Sequence, residues 1–97
     1  MTSSETLELM RAQASDLYRH FGIRNLFVFG SVARDEARSD SDVDVLVEFE
    51  GKADFDRYMG LKLYLEDMLH RRVDLVTRQA LRPALLPSVE KDAIRVP

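Results

Sequence analysis

The chain has 97 residues, 45% of them hydrophobic and 32% charged, with a formal net charge of −3 and no cysteine. That describes one globular domain, residues 1–97, with a core of its own and little left over for a separate substrate lobe. Disulfides and thiolate metal sites are excluded, no apolar run reaches membrane-spanning length, and the acidic balance counts against DNA or RNA as direct substrate.

The first residues lack the basic-then-apolar pattern of a secretory leader, so the expected setting is a reducing cytoplasm with no membrane contact. Thr2-Ser3-Ser4-Glu5 spells a capping box, with the hydroxyl and the carboxylate three residues apart. Leu7, Met10, Ala14, Leu17 and Phe21 then recur at helical spacing, and Gly22 can close the helix. The result is an amphipathic helix to be laid on a sheet, with Tyr18 at its core edge. His20 belongs to its solvated last turn, where the helix dipole favours a cation.

Leu26 to Phe29 reads as a short buried strand delivering a Gly30-Ser31 turn. Gly30 lets backbone approach a ligand closely, and Ser31 stands where a strand passes into a helix, a seat for phosphate. A short helix is expected over Val32 to Arg38, containing Ala33 and Ala37. Arg34 there either faces a phosphate or pairs with a nearby carboxylate such as Asp35 or Glu36, and pairing is the preferred reading. Ser39-Asp40-Ser41 reads as a polar turn, and Asp42 to Phe49 as the second strand. Within that strand Asp42 and Asp44 share one face while Val43, Val45 and Val47 share the other. Two carboxylates about 7 Å apart along a strand can converge on divalent cations. Burying them together without one would cost several kcal/mol or force a proton onto one of them. With the phosphate seat beside them, they point to chemistry on a nucleoside triphosphate.

Two other readings compete for the aspartates. Asp40, Asp42 and Asp44 mimic the start of a calcium-binding EF-hand loop, but Val45 and Gly51 stand where that loop needs glycine and glutamate. A turn in which aspartates merely cap backbone N–H groups accounts for Asp40 but not for Asp44 inside a strand.

Asp54 can cap a helix whose main stripe is Tyr58, Leu61, Leu65, Met68 and Leu69. Met59 and Leu63 lie off the stripe, so this helix is either sandwiched in the fold or covered by a partner. Gly60 in its middle costs about 1 kcal/mol relative to alanine. Arg71-Arg72 ends it and Val73-Asp74-Leu75-Val76 reads as a third strand, where Asp74 is a lone acid in an apolar run. Arg71, Arg72, Arg78 and Arg82 leave room for a local basic patch. Leu81, Leu85, Leu86 and Val89 indicate a short helix over the sheet. Ala93 to Val96 fits a last edge strand or a partner-binding tail equally well. The expected architecture is α/β, a small mixed sheet with helices packed largely on one face.

Gly30-Ser31, ten intervening residues and Asp42-x-Asp44 resemble the signature of the DNA polymerase β-type nucleotidyltransferases. At this length the chain is most similar to the minimal nucleotidyltransferases (MNT), antitoxins encoded beside HEPN toxins, over Leu26 to Val76. The resemblance implies a polymerase β palm-like fold and transfer of AMP from ATP to a hydroxyl, a tyrosine of a cognate HEPN RNase toxin. Asp42, Asp44 and Asp74 are then the catalytic and metal residues holding two Mg²⁺ ions, and Gly30 and Ser31 bind the nucleotide phosphates. An exposed acid on an edge strand remains the other reading of Asp74. Two alternatives for the whole chain stay open. One is an antitoxin that masks its toxin without catalysis. The other is a small-molecule, aminoglycoside-type enzyme, a kind that usually carries a further substrate domain.

Overall fold

A computed structural model describes residues 2–36, 38 and 41–97, with Leu85 and Ser88 described by backbone only. The first helix, α1, spans Ser3–Phe21, and the capping box forms as its sequence specifies. Thr2 Oγ1 accepts the Glu5 N–H at 3.1 Å, and Glu5 Oε1 accepts the Thr2 N–H at 3.1 Å. Gly22 closes the helix at φ +62°, the left-handed conformation that suits glycine.

Strand β1 runs Ile23–Phe29, three residues longer than the apolar run alone indicated. Ile23 is buried, and an irregularity between Ile23 and Asn25 lets the strand start early while Leu26 and Val28 still face the core. Helix α2 is a single turn, Gly30–Ala33, where a longer helix from Val32 to Arg38 was expected. A Schellman motif stops it. The Glu36 N–H reaches back to the Ser31 carbonyl, the Asp35 N–H reaches the Val32 carbonyl, and Asp35 takes the left-handed position at φ +58°. Ala37, in the expected helix, and Ser39 and Asp40, in the expected polar turn, lie outside the described residues. Ser41, the last residue of that turn, donates its N–H to the Arg38 carbonyl.

Strand β2 covers Val43–Phe49, helix α3 Phe55–Leu69 and strand β3 Val73–Thr77. Asp54 caps α3 as expected, accepting the Arg57 N–H at 2.6 Å. A 3-10 turn at Pro83–Leu85 leads into α4, Leu86–Asp92, and a short strand β4, Ile94–Arg95. The C-terminal segment that the sequence left open is therefore an edge strand. Among the described residues no helix is long and apolar enough to cross a membrane.

The sheet order is β3-β2-β1-β4, with β2 and β3 parallel and the other pairs antiparallel. Alternation sorts the strand residues by face. Leu26, Val28, Val43, Val45, Val47, Val73 and Leu75 join Met10, Ala14, Leu17, Leu61, Leu65 and Leu69 in one core, so α1 and α3 cover that face. Tyr18 is fixed as expected at the core edge, its hydroxyl donating to the Val96 carbonyl and accepting the Leu26 N–H. The in-between residues Phe27, Phe29, Asp44, Leu46, Asp74 and Val76 are left for the opposite face, which α4 borders. The carboxylates sit on that more open face.

Candidate active site

Strand pairing brings together residues that the sequence keeps far apart. Asp44 is in register with Asp74 across the parallel β2–β3 pair, and with Phe29 across the antiparallel β1–β2 pair. Partners in register point to the same face, so two carboxylates from different strands stand side by side, next to the turn that follows Phe29. Gly30 opens that turn at φ +70°. A Cβ built on it would lie 2.1 Å from Asp44 Oδ2. The carboxylate thus rests against bare backbone, at a position where both conformation and space demand glycine. Ser31, half-buried, follows in the first turn of α2.

Asp42 lies one residue before β2 rather than inside it. The Val43 N–H bonds to the Arg72 carbonyl at 2.9 Å, and the Asp42 carboxylate meets Arg72 Nε at 3.5 Å. Among the described residues no three His, Cys, Asp or Glu side chains are grouped into a ready-made metal cage. The pair that converges is Asp44 with Asp74. Asp74 also fits its other description, an exposed acid on an edge strand.

The cluster carries unbalanced negative charge. Burial pushes the Asp44 carboxyl above its usual range, Asp74 and then Asp42 push it further, and only Arg34 opposes them. A divalent cation would relieve this directly, and an all-carboxylate donor set suits Mg²⁺ rather than a thiophilic metal. Arg34 lines the same face but is already ion-paired, as the pairing reading expected. It binds Glu36 at 3.2 Å and Asp92 at 3.1 Å, linking the end of α2 to α4.

A groove of about 610 Å³ opens beside these groups, lined by Phe29, Gly30, Asp74, Val76, Arg82 and Val89 among others. Its size suits a nucleotide-sized ligand, with apolar walls and a few polar groups. A second hollow of about 590 Å³ follows β3 to the start of α3, past Phe55, Tyr58 and Thr77. None of the candidate residues lines it, so the first groove is the one tied to the chemistry.

Several supporting residues escaped the sequence reading because their partners are distant backbone carbonyls. Arg57 donates to the carbonyls of Gly22, Glu50 and Lys52, and Arg71 to those of Ser41 and Arg38. Glu48, on the carboxylate face but further from the turn, is held by Asn25 at 2.7 Å.

A strand–Gly-Ser–helix turn thus faces aspartates on two adjacent parallel strands. Residues 10–96 match the nucleotidyltransferase domain model, and the chain belongs to that family. It is a minimal nucleotidyltransferase related to the MntA-type antitoxins of HEPN/MNT pairs. The protein adenylyltransferase MntA of Thermococcus cleftensis is 38% identical over 96 residues, covering 99% of this chain and 97% of that protein. The solved structure of a minimal nucleotidyltransferase superposes with a TM-score of 0.83 at 44% identity, covering 97% of this chain and 95% of the other. A tri-AMPylated HEPN toxin from Shewanella oneidensis has been solved in complex with MNT antitoxin, and this structure shares the fold. Its TM-score is 0.69 at 21% identity, with coverage of 93% of this chain and 71% of that one.

Proposed function

We propose that residues 1–97 act as a single-domain protein adenylyltransferase, an antitoxin that transfers AMP from ATP to a tyrosine hydroxyl of a HEPN toxin. The observation that carries the reading is the in-register Asp44–Asp74 pair against the Gly30-Ser31 turn. The adenylyltransferase relative and the AMPylated toxin complex support the choice of donor and acceptor.

Asp42, Asp44 and Asp74 would hold two Mg²⁺ ions, which when bound neutralise the triphosphate and lower the pKa of the attacking hydroxyl. The backbone at Gly30 and the hydroxyl of Ser31 hold the β- and γ-phosphates, orienting pyrophosphate as the leaving group for in-line displacement. The acceptor oxygen forms a bond to the α-phosphorus as the α–β bridging bond breaks. Asp74, the more exposed of the strand pair, accepts the hydroxyl proton. The acceptor arrives on another molecule, and the cytoplasm is the setting that supplies ATP and Mg²⁺. Modification adds charge and bulk to the toxin.

Masking without catalysis is the second reading. It is favoured by apolar side chains that α3 leaves in solvent, Phe55 at 74% and Leu63 at 58% exposed. Intact-mass spectrometry of a HEPN toxin incubated with the chain, ATP and Mg²⁺ separates the two, alongside a toxin-rescue growth assay. With Asp42→Asn and Asp44→Asn combined, transfer and rescue are both expected to disappear while the complex still forms. An unmodified toxin fully neutralised by that variant would refute the enzymatic reading.

A further inference from the structure

We propose that Arg71 is a positioning residue for Asp42, acting through the peptide that precedes it; this rests on the reading of Asp42 as a metal-binding carboxylate. The guanidinium meets the Ser41 carbonyl twice, from Nε at 3.1 Å and from Nη2 at 2.6 Å. Nη2 also reaches the Arg38 carbonyl at 3.1 Å, and Nη1 reaches Thr6 Oγ1 at 3.4 Å. Thr6 is fully buried near the start of α1, and its hydroxyl donates to the Thr2 carbonyl at 3.0 Å. One planar fork therefore ties the segment before β2 to the capped end of the longest helix.

The effect on Asp42 follows from peptide geometry. The Ser41 carbonyl and the Asp42 nitrogen share a rigid plane, so fixing the oxygen fixes the direction in which the chain enters Asp42. On the far side, the Val43 N–H is fixed by the Arg72 carbonyl at 2.9 Å. Asp42 is thus suspended between two anchors supplied by consecutive residues, the side chain of Arg71 and the backbone of Arg72. His70 makes this possible: it ends α3 in the left-handed conformation, at φ +53°, and turns the chain into the Arg71-Arg72 step. Asp42 lies outside the strand ladder, so it lacks the in-register support that Asp44 and Asp74 enjoy. A lysine would keep the charge at position 71 but not the planar fork that serves two carbonyls at once.

The test is calorimetric titration of Mn²⁺ into the chain bound to a non-hydrolysable ATP analogue, with thermal melts of the same samples. Arg71→Gln is expected to weaken metal binding by about 10–100-fold, the usual effect of losing a partner that orients a metal ligand. Arg71→Lys is expected to melt close to the unsubstituted protein yet keep the metal defect, and it decides the question if Arg71→Gln does not fold. In an Asp42→Asn background the Arg71→Lys change should weaken metal binding no further, since both act on one ligand. A purely structural arginine would instead lower the melting temperature and leave metal affinity alone. Arg71→Lys with unaltered Mn²⁺ affinity would overturn the positioning role. If Asp42→Asn alone also leaves Mn²⁺ affinity unaltered, the metal reading of Asp42 fails, and the proposal with it.

Discussion

Replacing Gly30 with alanine should damage the site far more than it damages the fold, and a second glycine supplies the control. Gly30 at φ +70° and Gly51 at φ +67° both occupy the left-handed region, where a Cβ costs roughly 1–2 kcal/mol. At Gly51 the new methyl would meet nothing within 4 Å. At Gly30 it would lie 2.1 Å from Asp44 Oδ2 and 3.0 Å from Asp44 Cγ, so the carboxylate must swing away. Forcing a side chain about 30° off its rotamer adds about 0.5–1.5 kcal/mol. Gly51→Ala should thus cost about 1–2 kcal/mol, and Gly30→Ala about 1.5–3.5 kcal/mol. In a domain of this size each kcal/mol lowers the melting temperature by about 4–8 °C. Transfer should separate the two variants much more widely, because a displacement of about 1 Å at a reacting centre can cost 10²-fold. The assay is initial-rate AMP transfer at a temperature where both variants are folded, with melts in parallel. Equal transfer rates for the two variants would refute the claim that Gly30 is required by Asp44.

Asp44→Asn should raise the melting temperature in EDTA at neutral pH and abolish the stabilisation by Mg²⁺ with ATP that is expected of the unsubstituted chain. The sign follows from the raised carboxyl of Asp44: the folded state holds this proton more tightly than the unfolded state, so ionisation costs stability as pH rises from near 4 through the folded-state value. The asparagine advantage should therefore shrink toward the acid side of that window in melts across a pH series, and an advantage independent of pH would exclude this cause. Ser31→Ala should weaken nucleotide binding or slow transfer without removing any covalent adduct; trapping AMP on Ser31 itself would make it a nucleophile instead. Leu63→Glu should leave the melt unchanged, since the side chain is 58% exposed, while weakening toxin capture in a pull-down; undiminished capture would place the docking surface elsewhere.

What could be read from the sequence was whatever local pattern determines. The Thr2–Glu5 capping box, the Asp54 cap, the alternation of Val43, Val45 and Val47, and the short Val73–Val76 run all lie within a few residues of their causes. Asp74 could be placed in order but not in register, because nothing local says which β2 residue it will face. The early end of α2 was hidden because its left-handed stop is an aspartate rather than a glycine. The bonding partners of Arg71, Arg57 and Tyr18 were unreadable for a different reason. Each side chain bonds to backbone carbonyls set beside it by tertiary folding, as far as 78 residues away for Tyr18 and Val96, and a carbonyl has no sequence signature.

The register that creates the site is set by the core on the other side of the sheet. Val73 and Leu75 face α1 and α3, so they oppose Val43 and Val45 across the parallel pair. A slip of one residue along β3 would turn both toward solvent and drive Asp74 into the core. Burying one unpaired carboxylate costs several kcal/mol even before the lost apolar burial is counted. The same alternation that hides four aliphatic side chains therefore leaves Asp44 and Asp74 facing each other. Their repulsion is tolerated because it is small against the cost of slipping. In this sheet the apolar face supplies the precision, and the carboxylate face receives it.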